Sequence, residues 1–169
     1  RDARILPIYE GTNGIQALDL LRRKLTMDNG NIFKRFLSEM KNDANKCLSI
    51  KGEQLPEIGQ KVINAINILE DTADKLLNMW KQNKRQAASG ATPFIDMCGY
   101  IFGGWMMAKS AYKASCLIKE NKKNKFLHAK IDTASFYTNT VLESSLSLKN
   151  VVINAHKNIE SIFKNNYKK

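Results

Sequence analysis

A short segment near the start of the chain combines a carboxylate, two glycines and a pair of helix-capping residues. It reads Ile-Tyr-Glu-Gly-Thr-Asn-Gly-Ile-Gln over residues 8–16. Glu10 is expected to lie at a turn, and Gly11 beside it would let a ligand approach the backbone closely. Thr12 or Asn13 can cap the helix that follows, and the exposed amides of such a helix start suit an anion or a phosphate. A capped turn with a glutamate is common in proteins, so these residues taken alone favour a structural role.

The rest of the chain offers little other chemistry. His128 and His156 are far apart, and neither belongs to a Glu-x-x-His pair of the kind that di-metal helical bundles use. The sequence also lacks the glycine patterns Gly-x-Gly-x-x-Gly and Gly-x-x-x-x-Gly-Lys, which bind nucleotide phosphates. We therefore predict no metal site and no phosphate-binding loop of these types.

The composition is that of a folded domain with a basic surface. Apolar residues make up 43% of the chain and charged residues 25%, which excludes a disordered protein. The net charge of +11 could serve nucleic acid, an anionic membrane surface or an anionic substrate. However, the lysines are scattered, and their one dense cluster at residues 119–125 is typical of a solvated loop between helices. A nucleic-acid partner is therefore the weaker alternative.

The cysteine pattern indicates a protein of a reducing compartment, which favours the cytoplasm, and the hydropathy predicts no membrane span. The three cysteines form no Cys-x-x-Cys pair and are expected to be free thiols. The most apolar stretch, residues 93–108, contains Asp96 and is shorter than the roughly 20 residues that cross a membrane. It predicts a buried core helix in which Gly99, Gly103 and Gly104 permit close packing. The chain opens with Arg1 and has no signal-peptide pattern, so we expect a piece of a longer protein.

Helical periodicity dominates the chain, and no segment alternates convincingly with the two-residue period of a strand. The apolar spacing predicts helices over residues 14–27 and 31–48, from near Pro56 to about Gln86, and over residues 92–121. Two more helices are predicted after residue 126, with a break near Asn150, and Thr92 with Pro93 is expected to start the central helix. The predicted fold class is all-α: an antiparallel bundle of five to six helices.

Residues 2–25 closely resemble the C-terminal region of acyl-CoA dehydrogenases. In that family the motif is Ile-Tyr-Glu-Gly-Thr, two variable positions and Ile-Gln, and residues 8–16 fit it throughout. The remainder resembles one branch, consisting of longer, mostly bacterial enzymes with an extra C-terminal helical domain. This branch includes enzymes that act on 3-(methylthio)propanoyl-CoA. Its resembling features lie at residues 14–21, 90–94, 103–108, 134–137 and 141–142.

The resemblance implies an FAD-dependent oxidoreductase that converts an acyl-CoA thioester to a trans-2-enoyl-CoA. Glu10 would remove the α-proton, its backbone N–H would donate to the thioester oxygen, and the β-hydrogen would leave as hydride to flavin N5. Gly11 would border the substrate. The residues expected along FAD are Thr12, Asn13, Gly14, Ile15 and Gln16. Residues 1–27 would complete the catalytic domain, and residues 28–169 would form the appended bundle.

The resemblance also implies partners and leaves two alternatives. The expected partners are the acyl-CoA substrate, an electron-transfer flavoprotein or similar acceptor, and a second copy in a homodimer. This piece alone is expected to be inactive, because the domains that hold most of the FAD would lie upstream. The first alternative is a non-catalytic structural or interaction module derived from the same family. The second is a basic helical nucleic-acid binder, which would need a concentrated lysine and arginine face.

Overall fold

The structure, a computed structural model, describes residues 12–119 and 124–157. These residues form helices and no strand, so the predicted all-α bundle is confirmed. The helices are α1 (Asn13–Asp19), α2 (Asn31–Leu48), α3 (Gln54–Gln82), α4 (Lys84–Ser89), α5 (Ala91–Ile118), α6 (Lys125–Asn139), α7 (Val141–Leu146) and α8 (Leu148–Asn154). A π-helical turn over Leu20–Leu25 and a turn over Met27–Gly30, which contains residues of left-handed backbone, join α1 to α2.

Helix α5 lies at the centre of the bundle. It packs against α1, α2, α3, α6, α7 and α8, and its Phe94, Ile101 and Ala108 are fully buried. The ring of Phe94 lies 6.2 Å from that of Phe33 on α2, measured between centroids. The prediction of a buried central helix is therefore confirmed. None of the helices in the described part of the chain is long and apolar enough to cross a membrane.

Two of the three glycines of α5 allow neighbouring helices to approach closely. A Cβ atom at Gly104 would lie 3.2 Å from Cδ1 of Leu142, and one at Gly103 would collide with the Tyr137 hydroxyl. That hydroxyl donates to a backbone carbonyl of α5 at 3.0 Å and so holds α6 against α5. Gly99 differs, because it is exposed and a Cβ atom there would meet no described residue. The predicted packing role is confirmed for two glycines and wrong for Gly99.

Helix α3 ends earlier than its apolar periodicity predicts. It was expected to reach about Gln86, but it ends at Gln82, and Asn83 has an extended backbone with φ −151° and ψ 100°. The Asn83 side-chain oxygen accepts hydrogen bonds from the backbone N–H groups of Arg85 and Gln86 at 3.1 and 3.2 Å. These bonds satisfy two donors at the start of α4 that the helix itself cannot satisfy. Local capping by Asn83 therefore interrupts the helix.

The Asn83→Ala variant is expected to unfold with a free energy lower by about 1 kcal/mol, because the start of α4 loses its cap. Urea unfolding of the 169-residue chain, followed by circular dichroism, measures this change. Asn67→Ala is the matched control, since Asn67 is exposed inside α3 and alanine is the better helix former there. An equal loss in both variants would contradict the capping role of Asn83.

The start of α5 also differs from the prediction. Gly90, rather than Thr92, is the residue that precedes the helix, and α5 begins at Ala91. Pro93 therefore lies within the first turn, where its missing N–H removes no intrahelical hydrogen bond. The prediction that Thr92 caps the helix and Pro93 opens it is wrong, because the helix starts two residues earlier.

The C-terminal break falls at Thr140 instead of near Asn150. Thr140 has φ −123° and ψ −73°, and it separates α6 from α7, whereas Asn150 lies inside α8. The Thr140 hydroxyl donates to the Phe136 carbonyl at 2.7 Å. Hydroxyl bonds of this kind compete with the helical backbone and often bend helices. The composition around Asn150 favoured a turn, but the local hydrogen bonding sets the break earlier.

A polar cluster fastens α2 to α5. Asp43 of α2 accepts a hydrogen bond from Nε1 of Trp105 at 3.1 Å and pairs with Lys46 and Lys109 at 2.6 and 3.0 Å. Lys109 also lies over the Trp105 ring, 4.7 Å from its centroid. The Lys46 hydrogen bond, aided by Lys109 and Trp105, outweighs partial burial and lowers the pKa of Asp43 to about 2.

The low pKa of Asp43 predicts a contribution to stability that acid removes. Since the pKa lies below the ordinary value of 3.8, this contribution is present above that value and is lost as the pH falls through about 2. Asp43→Asn should destabilise the chain near neutral pH, and its difference from wild type should shrink on acidification. Denaturant unfolding of both proteins across this range measures the difference. Glu39→Gln, a change at an exposed carboxylate of the same helix, should leave the pH dependence unchanged.

Two of the three cysteines are buried, and all three are free thiols, as predicted. Desolvation raises the pKa of Cys47 to about 11 and raises the pKa of Cys98 as well. The Cys47 thiol lies 3.5 Å from the carbonyl oxygen of Ala108, so it packs between α2 and α5. Thiols held in the protonated form are poor nucleophiles, so Cys47 and Cys98 act as small core residues.

Candidate functional site

The described part of the predicted site begins at Thr12, immediately before α1. Glu10 and Gly11, the predicted base and substrate contact, lie outside the described residues. The carbonyl of Thr12 accepts from the N–H of Gln16 at 2.8 Å, which closes the first helical turn. A helix thus starts where the sequence predicts it. The Thr12 side chain makes no capping hydrogen bond, so the proposed role of its hydroxyl as a cap is not observed.

Helix α1 is held in place by a row of buried side chains. Ala17, Leu21 and Leu25 are fully buried and belong to the same core as α2, α3 and α5. Their four-residue spacing keeps them on one side of α1 and of the π-helical turn that follows. The start of α1 is therefore positioned by the bundle.

The chain turns sharply after this segment. Asp28 and Asn29 have φ of 49° and 53°, and Gly30 has φ of 91°, so three successive residues are left-handed. A Cβ atom at Gly30 would lie 2.6 Å from Cδ1 of Leu77, which adds a steric requirement for glycine. The predicted break at Asp28-Asn29-Gly30 is confirmed.

The predicted cofactor-contacting residues lie on the surface of the described structure. Asn13, Gly14, Ile15 and Gln16 are exposed, and Thr12 is half-buried. Ile15 is 64% exposed and Leu18 is 42% exposed. The first turn of α1 therefore presents two amide side chains, a glycine and an apolar surface to whatever lies against it.

A groove of about 420 Å³ lies between the starts of α1 and α5. Asn13 and Gln16 line it from α1, and Thr92, Ile95 and Asp96 line it from α5. Its volume is within the range of small-molecule sites. The sequence analysis named Asn13 and Gln16 but missed the three residues of α5. The one available signal was Asp96, a charge within an otherwise apolar stretch.

The described residues show no metal cluster, and their lysines are dispersed. Within residues 12–119 and 124–157, no group of three His, Cys, Asp or Glu side chains could hold a metal ion. The lysines of this part are spread over several helices, and many face carboxylates. Ion pairs join Lys34 to Asp74 at 2.8 Å and Lys41 to Glu70 at 2.6 Å.

The family of the chain is shown by a match that covers most of its length. Residues 36–162, well over half of the chain, match the family described as "Acetyl-CoA dehydrogenase C-terminal like". The chain belongs to this acetyl-CoA dehydrogenase C-terminal-like family. The match begins in α2, after the Glu10 segment and α1, so it identifies the bundle and says nothing of the motif at residues 8–16.

A curated relative of this acetyl-CoA dehydrogenase C-terminal-like chain is the 3-methylmercaptopropionyl-CoA dehydrogenase of Ruegeria pomeroyi. The two are 39% identical over 142 residues, which cover 84% of the chain. The same residues cover 24% of the relative, so the chain spans about a quarter of that protein's length. The resemblance to an acyl-CoA dehydrogenase C-terminal region is thereby confirmed.

The division into residues 1–27 and 28–169 stays a prediction for this C-terminal-like chain. The left-handed turn at residues 28–30 coincides with it, and the family match lies wholly on its C-terminal side. Across the turn, however, Leu21 and Leu25 share one core with Leu37 and Leu69. The described residues before the turn are therefore packed as part of the bundle.

Proposed function

We propose that this chain is the C-terminal part of an FAD-dependent acyl-CoA dehydrogenase. The observation that carries the proposal is the 39% identity, over 142 residues, to a relative named as a dehydrogenase of an acyl-CoA. The nine-position motif at residues 8–16 supports it, since it supplies a carboxylate immediately before α1. The substrate is an acyl-CoA thioester, and the product is a trans-2-enoyl-CoA.

Glu10 is proposed as the base that removes the α-proton of the thioester. A carboxylate is a weak base for a carbon acid, and burial of Glu10 beside the substrate would raise its pKa towards that task. The backbone N–H of Glu10 is proposed to donate to the thioester oxygen, where negative charge develops. Gly11 leaves space for the substrate because it has no side chain.

The residues proposed to hold FAD are compatible with a bound ligand. The side chains of Asn13 and Gln16 make no hydrogen bond with any described residue, and a Cβ atom at Gly14 would meet nothing within 4 Å. Asn13, Gly14 and Gln16 are therefore free to face the cofactor, and Thr12 and Ile15 are proposed to lie along it with them. When bound, FAD supplies the hydride acceptor, flavin N5.

The proposed enzyme is a cytoplasmic homodimer that passes electrons to an electron-transfer flavoprotein or a similar acceptor. These features are carried over from the resemblance. The alternative function is a structural or interaction module that keeps the helical fold without catalysis. It is favoured only if the full-length protein binds no flavin, because the bundle alone would be the same in both cases.

Acyl-CoA oxidation by the full-length protein tests the proposal. A dye acceptor and a panel of short, medium and methylthio acyl-CoAs should give turnover with at least one class, and the preferred class names the substrate. The 169-residue chain alone should bind no stoichiometric FAD and oxidise nothing. A full-length protein without flavin and without activity would favour the structural module.

A further inference from the structure

The groove between α1 and α5 is lined by an exposed carboxylate, Asp96, which pairs with no described residue. Asp96 makes no hydrogen bond or ion pair with any residue in ranges 12–119 and 124–157. Four other aspartates, Asp19, Asp43, Asp71 and Asp74, each pair with a lysine or arginine within 3.1 Å, so basic side chains do reach carboxylates elsewhere on this surface. The net charge of the chain is +11, so cations are abundant. The groove nevertheless leaves Asp96 to accept hydrogen bonds from something else.

The lining of this groove suits hydroxyl groups better than phosphates. The Asn13 and Gln16 amides and the Thr92 hydroxyl can each donate and accept, and Ile95 offers an apolar surface. No lysine or arginine is among the lining residues. A carboxylate repels a phosphate at short range but accepts charge-assisted hydrogen bonds from two hydroxyls at once. The groove therefore favours a neutral sugar with adjacent hydroxyls.

We propose that the groove binds the adenosine ribose of FAD, with Asp96 accepting hydrogen bonds from its 2′- and 3′-hydroxyls. The inference rests on the proposed function and extends the cofactor site to Thr92, Ile95 and Asp96 of α5. FAD carries both hydroxyls free, whereas the ribose of coenzyme A bears a 3′-phosphate that Asp96 would repel. Acidic side chains bind ribose hydroxyls in the same way in other dinucleotide sites. Asp96 thus distinguishes the cofactor from the nucleotide end of the substrate.

This arrangement makes the appended bundle part of the cofactor site. Asp96 belongs to α5, at the centre of the bundle, while Asn13 and Gln16 belong to the segment beside the proposed base. The buried row of Ala17, Leu21 and Leu25 packs α1 into the bundle core, so the α1 side of the groove is held beside α5.

FAD titration of the full-length apoprotein, followed by flavin fluorescence, tests the proposal. Asp96→Ala should raise the Kd for FAD about tenfold or more, as expected on losing hydrogen bonds to a charged group. An FAD analogue with 2′-deoxyadenosine should bind wild type more weakly than FAD does. The Kd of this analogue should be nearly the same for Asp96→Ala as for wild type, because the analogue lacks one of the hydroxyls that Asp96 would bind. KM for acyl-CoA should not change, and Glu39→Ala, at an exposed carboxylate of α2, should bind FAD as wild type does.

The outcomes separate this inference from the proposed function. If the Asp96→Ala variant is active and binds FAD with the same Kd as wild type, the ribose site is overturned and the dehydrogenase proposal stands. A raised KM for acyl-CoA with an unchanged Kd for FAD would assign the groove to the substrate, and it would also overturn the inference. A wild-type protein that binds no FAD would overturn both.

Discussion

Glu10→Gln in the full-length protein should slow acyl-CoA oxidation by roughly 10²–10⁴-fold, the range that a positioned general base contributes. Glutamine has nearly the same shape as glutamate, and the substitution leaves the backbone N–H of residue 10 in place. It has no basic oxygen of comparable strength, so the α-proton is no longer removed. Turnover with a dye acceptor measures the loss, and the flavin spectrum of the purified variant measures FAD content.

Retained FAD is what makes this result specific. A variant that loses both FAD and activity would assign Glu10 a structural role, whereas full activity would place the base elsewhere in the protein. Glu39→Gln makes the same chemical change at an exposed position of α2 and should leave the rate unchanged. Substrate affinity should change little, because the proposed donor to the thioester oxygen is the backbone of Glu10.

Phe94→Ala should lower the free energy of unfolding of the 169-residue chain by about 3–5 kcal/mol. Phe94 is fully buried in the first turns of α5 and packs against Phe33 of α2. Removing its ring leaves a cavity that the surrounding helices can close only in part. Denaturant unfolding monitored by circular dichroism gives the change, and the slope of the transition should stay near that of wild type.

Phe136→Ala is the matched control for Phe94. Phe136 belongs to α6, and its side chain is 65% exposed, so the same truncation should change stability by no more than about 0.5 kcal/mol. A comparable loss at both positions would mean that the exposed face of α6 is covered in solution. If Phe94→Ala lowered the free energy of unfolding only slightly, the place of Phe94 in the core would be contradicted.

The helices of this chain were predictable where burial follows a simple pattern. α5 is apolar nearly all round up to Lys109, which predicts a helix packed among others, and it does contact helices on both sides of it in the sequence. The interruptions were harder to predict, because they depend on single side-chain hydrogen bonds. Asn83 and Thr140 break the periodic helices through bonds to nearby backbone groups, and the apolar pattern continues across both positions.

The candidate site was only half predictable from the sequence. The motif could single out residues of α1 because it is continuous in sequence, and the roles of Glu10 and Gly11, which lie outside the described residues, stay predictions. Asp96 could not be assigned to the same place, because about eighty residues separate it from Gln16 and only the packing of α1 on α5 joins them. Periodicity assigns a side chain to a face of its own helix but not to a particular neighbour.

The packing of α1 on α5 also bears on the order in which the chain folds. α2 and α3 are adjacent in sequence and pack together, as are α5 and α6, and such local contacts form early in folding. Docking α1 must instead close a loop that runs from Asp19 to Ala91, which costs more chain entropy. We expect the backbone amides of α1 to show faster native-state hydrogen exchange than those of the α2–α3 and α5–α6 pairs. The groove between α1 and α5 would then be the last part of the bundle to assemble and the first to come apart.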